Sequence, residues 1–401
     1  MRRAVIFLAG AIVLAWLLAP ELDACTTFCL KGERRHPVFG RNFDFMAGQG
    51  QVHVNLRDQQ KRAFNAGSEQ PFAWVSRYGS VSFNQNGREF PYDGINEAGL
   101  VVAMMMNESA SSRYPDPDGR SGLTELQWIQ YQLDVSASVA DVIASDRVVR
   151  VSSASIAPLH FLVADAAGDV AAIEYLDGRT VVHRGKGLPV PALANDPYEV
   201  SLESKRKLDA AGVATDSAGD RFTQAARLVA AYGKKGGPAV TFAFEVLETV
   251  TRGGTQWSIV YDIQNRAVHY RTRGNAAIRR LGLAQFDFSC SDARPFIDIE
   301  ETANDAAHFR RSDTESNLRL IDAVWDGVAF LKPLPRELRL AMARHAGSVA
   351  CAKGTQASRN RAGSDSGHGL GEPARWTHPI PGLPRESPPS RPTARRQAPS
   401  R

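Results

Sequence analysis

The pattern of apolar and polar positions changes period several times along the chain. Ala4 to Ala19 is continuously apolar. Short β-favouring runs take over after Cys25: Thr26–Leu30, Val38–Phe45, Val101–Met106, His160–Ala164, Val170–Tyr175 and Thr180–His183 all predict strands. Trp257–Ile263 and Ala267–Thr272 predict the arms of a hairpin around Gln264 and Asn265. A helical period appears where Leu126, Ile129 and Leu133 share a face, predicting a helix over Leu123–Leu133. It returns over Val139–Ala144 and Phe222–Ala231. Ser138, with Asp141 three residues on, has the spacing of a helix cap. Strands and helices do not alternate regularly, and no dinucleotide or P-loop glycine pattern is present. The expected class is therefore α+β, antiparallel layers covered by helices, rather than a doubly wound sheet. No internal repeat is visible.

The two ends read differently from the middle. Arg2 and Arg3 precede the apolar run, Pro20 ends it, and Ala24 places a small residue before Cys25, the form of an export signal over residues 1–24. The run is shorter than the ~20 residues a spanning helix needs. The expectation is a processed chain beginning at Cys25, periplasmic or secreted, with no stable membrane span. Beyond Ala352, Pro, Ser, Gly and Arg replace large apolar residues, and such a segment buries too little surface to offset its ordering entropy. Residues 352–401 are expected to be a disordered basic tail, leaving one folded domain over residues 25–351. The charge agrees with this division. Of the net +5, the tail holds nine Lys/Arg against three Asp/Glu, so the body is close to neutral. It has no basic surplus for nucleic acid, and no nucleic-acid motif is found.

Cys25 carries the most chemistry. After cleavage behind Ala24, one residue would hold both a thiol and a free α-amine. A thiol of pKa ~8.5 is mostly protonated at neutral pH, whereas an α-amine of pKa ~7.7–8.0 is a competent base there. One terminal residue can thus supply nucleophile and base together. Other readings of Cys25 are a disulfide with Cys29, Cys290 or Cys351, a small buried hydrophobe, or a lipidated cysteine on a surface lipoprotein that binds amphiphiles. Arg41 and Asp44 follow closely. Regular strand alternation would separate them, whereas a turn or bulge would let both face Cys25. His160 lies in an apolar run and reads as a core histidine. No zinc-type spacing appears, and no cofactor is expected.

Taken together, several segments resemble the choloylglycine hydrolases, the N-terminal nucleophile enzymes that include penicillin V acylases and bile salt hydrolases. They are Cys25–Phe28, Gly40–Asp44, Asp93–Leu100, Leu126–Tyr131, Pro158–Phe161, Asn195–Pro197, Asp220–Phe222, Gln256–Asp262 and Phe286–Cys290, in family order. The resemblance implies an αββα four-layer sandwich, two antiparallel sheets between helix layers. It implies Cys25 as nucleophile with its own amine as base, Arg41 and Asp44 beside it, Asn195 as an oxyanion donor and Arg221 as a second arginine. Counting from Gly99 puts the backbone donor at Met106, with Asn107 next. Met106 and Asn107 are therefore expected at the substrate. Met104, Met105 and Met106 suggest a flexible apolar wall for an acyl group.

The expected activity is hydrolysis of a linear amide C–N bond in a small N-acyl amide. Penicillin V-like amides and N-acyl homoserine lactones are favoured over conjugated bile salts, because an exported leader precedes Cys25 and Met106 stands where bile salt hydrolases commonly carry Asn. Family precedent adds a possible homotetramer.

Overall fold

The computed structural model describes residues 25–31, 36–64, 72–155, 157–213, 220–302 and 305–352. The expected signal over 1–24 and nearly all of the expected tail lie outside the described residues.

Two antiparallel sheets form the centre. The smaller has six strands in the order Ala192–Leu193, Thr26–Lys31, Pro37–Asp44, Thr255–Asp262, Ala267–Thr272 and Arg279–Gly282. The larger has nine: Arg179–Arg184, Val170–Leu176, Leu159–Ala164, Val101–Met106, Pro91–Asn96, Ser80–Asn84, Gln51–Asn55, Pro295–Asp298 and Arg310–Arg311. Their inner faces meet through side chains such as Phe83, whose ring lies edge-on to those of Tyr261 and Tyr270 across the gap. The helices Arg221–Lys235 and Ala239–Thr249 pack on the six-stranded sheet, and Glu125–Val135 packs on the nine-stranded one. The layers therefore run helix, sheet, sheet, helix, as expected.

Strands buried on both faces read as continuous rather than alternating patterns. Thr26–Leu30 and all of Pro37–Asp44 are buried. That double burial also explains a glycine. A Cβ on Gly40 would come within 2.4 Å of the Phe28 ring, its neighbour across the strand pair.

The helix expected from Leu123 begins at Glu125, because Thr124 caps it by accepting from Gln127 N–H, and Leu123 is left in a short strand. The Ser138–Asp141 spacing closes a full capping box. The third helix runs from Arg221 to Lys235, with Asp220 as its N-cap. A pair of C-terminal helices, Thr314–Gly327 and Arg336–His345, had no counterpart in the sequence reading. A disulfide joins Cys290 to Cys351, leaving Cys25 and Cys29 free and buried. Cys25 and Cys29 could not pair with each other: four residues along a strand span ~13 Å, about twice the Cα separation a disulfide allows.

Among the described residues, no helix is long and apolar enough to cross a membrane. None of their His, Cys, Asp or Glu side chains cluster in threes placed to hold a metal ion.

Candidate active site

Cys25 immediately precedes the first strand. The strand register pairs Thr26 with Asn42 and Thr27 with Arg41, which sets Cys25 level with Phe43. Alternation then puts Cys25, Thr27 and Cys29 on the inner face, shared with Arg41 and Phe43. Asn42 points the other way, donating to the Leu247 carbonyl of an outer helix at 2.8 Å.

Arg41 is fully buried. Its guanidinium forms an ion pair with Asp93 on the facing sheet, donates to the Met104 carbonyl at 3.2 Å, and places Nη2 3.9 Å from Cys25 Sγ. Asp93 also accepts from the Tyr261 hydroxyl. A charge in so dry a place is tolerable only when paired and hydrogen-bonded. Asp93 supplies that partner and thereby aims Arg41 at the sulfur.

Asp44 is the last residue of its strand. The register of the neighbouring strand slips between Thr255 and Trp257, opposite this point. Asp44 meets the group at this strand end. Its backbone carbonyl accepts from Cys25 Sγ at 3.8 Å, and its carboxylate accepts from Arg221 Nη1 at 3.1 Å and from the Thr255 hydroxyl. Arg221 reaches it from the first turn of its helix.

Asn195 arrives by register too. Leu193 pairs with Thr27 and Ala192 with Phe28. Extending that register by two residues sets Asn195 level with Cys25. It is 6% exposed, and its Oδ1 has no hydrogen-bond partner. The turn carrying it is held from behind. His160 Nε2 donates to the Ala194 carbonyl at 2.7 Å, and His160 Nδ1 meets Glu174 Oε1 at 2.9 Å. Glu174 also accepts from His183 and from the Tyr198 N–H. Burial alone would raise the Glu174 carboxyl; donation from His160 and His183 outweighs it and holds the carboxyl down at about 2. His160 is thus a core histidine, but one that fixes the Asn195 turn.

Met106 and Asn107 end the strand Val101–Met106. The Asn107 N–H donates to the Pro158 carbonyl at 2.7 Å. Positions 107 and 158 are then a hydrogen-bonded pair, and Met106 opposite Leu159 is the next, non-hydrogen-bonded pair. The Met106 N–H therefore turns away from that strand, just as the Leu159 N–H turns away to the Tyr114 hydroxyl at 2.7 Å. The Met106 side chain lines the cavity beside Cys25, whereas Asn107 is buried outside that lining.

The cavity itself holds about 270 Å³, near the small end of the roughly 300–1,000 Å³ usual for ligand pockets. Cys25 and Asp44 line it. Phe43, Phe90, Tyr92, Met104 and Met106 make an apolar lining. Burial pushes the Cys25 thiol above its ordinary range; Arg41 opposes this, Asp44 adds to it, and Arg221 again opposes it.

Residues 25–237, more than half of the chain, match the choloylglycine hydrolase family of linear amide C–N hydrolases. The chain belongs to this family. Among relatives of this choloylglycine hydrolase-family member, the penicillin V acylase of Pectobacterium atrosepticum is 29% identical over 225 residues, covering 50% of this chain and 58% of the relative. The chain thus spans rather more than half the length of that curated relative. Among solved structures, penicillin V acylase from Agrobacterium tumefaciens superposes with a TM-score of 0.58 at 25% identity, covering 70% of this chain and 93% of the other. A mutant of the conjugated bile acid hydrolase from Clostridium perfringens gives 0.59 at 17% identity, covering 70% and 98%. At that identity the likeness concerns the fold.

Asp93 and Tyr261 lie inside family segments, yet the sequence reading gave neither a role. The signal was there. Arg41, embedded in the β-favouring run Val38–Phe45, needs a countercharge once that run is buried, and Asp93 in a family segment is complementary to it. Asn96 in the same segment has a different job: its side chain donates to the Leu133 and Ser136 carbonyls and accepts from the Leu100 N–H, tying the helix Glu125–Val135 to the sheet.

Proposed function

We propose that this protein hydrolyses the amide bond of a small N-acyl amide through Cys25, once the residues ahead of it have been removed. The observation that carries this reading is the convergence of Arg41, Asp44 and Arg221 around Cys25, which lines an apolar cavity, with Asn195 level with the sulfur. The freed α-amine of Cys25 takes the thiol proton as Sγ attacks the amide carbonyl. The carbonyl oxygen gains negative charge and is held by the Asn195 side-chain N–H and the Met106 backbone N–H. The C–N bond then breaks, and the ammonium returns the proton to the leaving nitrogen. Water, deprotonated by the same amine, attacks the thioester, and the acid leaves. Each fixed oxyanion donor is worth ~10²–10³ in rate. Arg41 offsets negative charge on sulfur without itself moving a proton.

The cavity favours a compact or flexible acyl group. Penicillin V-like amides and N-acyl homoserine lactones suit it better than a rigid steroid. Lipid attachment at Cys25 fits poorly with this placement, since the residue is 4% exposed and its strand would have to leave the sandwich. An exported, periplasmic or secreted, setting accords with the 290–351 disulfide.

The test is intact mass of the purified protein together with Cys25→Ser. The expected results are a chain starting at an unmodified Cys25 and an activity loss of about 10³-fold or more. Undiminished hydrolysis by Cys25→Ser overturns the mechanism. A lipidated Cys25 overturns the assignment of the base, because the amine is consumed.

A further inference from the structure

The cavity beside Cys25 has a second wall that comes from the other end of the chain. Trp325, Phe330, Leu331, Leu334, Leu338 and Met342 line it. All belong to the helical pair Thr314–Gly327 and Arg336–His345 or to the segment between them. This pair lies beyond the residues 25–237 that match the family.

The pair is fastened at several points. The Arg88 N–H donates to Asn317 Oδ1 at 2.9 Å near one end, and Trp325 Nε1 donates to Asn86 Oδ1 at 2.8 Å beside the cavity. Asn86 in turn donates to the hydroxyl of Tyr92, a residue of the opposite lining. His345 meets Gln127 at 3.0 Å, and its ring lies edge-on to that of Phe64. Arg339 joins the two helices through Asp322 at 3.1 Å and Asp326 at 2.8 Å. Just beyond, Arg294 donates to the Val349 carbonyl, and the 290–351 disulfide pins the chain. A wall held in this way is fixed in position, and its side chains set how much room the cavity offers.

We infer that the C-terminal helical pair is the acyl-selectivity wall of this enzyme, and that Leu334 and Leu338 determine the bulk of the acyl group accepted. This rests on the amide hydrolase reading above and narrows it to amides of compact or flexible apolar acids. Atoms facing an apolar pocket discriminate modestly but measurably: one methylene is worth ~10–200-fold in kcat/KM. Removing most of a leucine side chain from this wall opens space that only a bulkier acyl group can fill.

The experiment uses the processed full-length enzyme and amides that share one leaving amine. The acyl groups are phenoxyacetyl, short and long straight chains, and a steroidal acid. For Leu334→Ala, Leu338→Ala and the double variant, the kcat/KM ratio of bulky to compact acyl groups is expected to rise about tenfold or more. Arg319→Ala, on an exposed stretch of the same pair, is the control and should leave the ratio unchanged. Circular dichroism and a cooperative thermal transition show that the variants are folded. An unchanged ratio in folded, active variants overturns the inference and leaves the hydrolase reading standing. No turnover of any amide by the unsubstituted enzyme overturns the hydrolase reading itself. A preference for the steroidal amide in the unsubstituted enzyme overturns the inference alone.

Discussion

Two buried contacts make Arg41 useful: the Asp93 carboxylate that neutralises it and the sulfur it faces. Asp93→Asn leaves the guanidinium buried without a countercharge. Breaking such a pair from one side costs ~3–5 kcal/mol, so denaturant unfolding should show a midpoint well below that of the parent. A variant of unaltered stability would remove the pairing argument. Asn195→Ala deletes a different kind of group, one with an unfilled hydrogen-bonding position in the resting protein. Here kcat should fall ~10²–10³-fold, with KM little changed and stability nearly constant. Cys25 was singled out by its position, and Arg41, Asp44, Asn195 and Arg221 by the family resemblance; the fold brings Arg41 and Asp44 to Cys25, and Arg221 to Asp44. Asp93, Thr255 and Glu174 were not assigned, since each acts by fixing another residue, and those partnerships are set by strand register and by the packing of one sheet on the other.

The elements that surround the site were legible where their pattern was strong. The strands Val101–Met106 and Ala267–Thr272 match the sequence reading at both ends: the first is continuously apolar, and the second carries Val268, Tyr270 and Thr272 on one face. Tyr198–Ala210 was passed over. Only Tyr198, Ser201 and Leu202 of that helix are buried, so its apolar period is too sparse to register. Gln51–Asn55 was missed although it alternates polar and apolar residues strictly; it is only five residues long, and its polar Gln51, His53 and Asn55 are buried along with Val52 and Val54. Packing between elements yields its own test. A Cβ on Gly94 would approach the Val81 carbonyl to 2.7 Å and Leu133 Cδ1 to 2.9 Å, where the helix Glu125–Val135 lies on the sheet. Gly94→Ala is therefore overpacked and should lose ~1–3 kcal/mol on unfolding. A neutral result would mean that the helix shifts freely. The Glu174 cluster gives a pH signature. Its carboxyl is held at about 2, below the 4.5 of an unperturbed glutamate. A depressed carboxyl contributes stability that is fully present above pH 4.5 and is lost as pH falls toward 2, on the order of 3 kcal/mol. Glu174→Gln should flatten the stability profile across that acid window, and an equally steep slope in the variant would remove the assignment.

At the scale of the whole molecule, the disulfide spans 61 residues and encloses the C-terminal helical pair. Closing a loop of that length restricts the unfolded chain by about 4 kcal/mol. Cys290→Ser with Cys351→Ser should lower stability by up to that amount in chemical denaturation while Cys25 keeps its neighbours. The layered architecture was readable from the order of strands and helices, but the joining of the two chain ends around one cavity was not. Local periodicity carries no information about which distant segments meet. That junction bears on synthesis. The thiol sits just ahead of the first strand, yet part of its cavity wall is encoded some three hundred positions later. A growing chain short of Met342 would lack that wall, so the cavity beside Cys25 is completed only after residues 325–342 have been added.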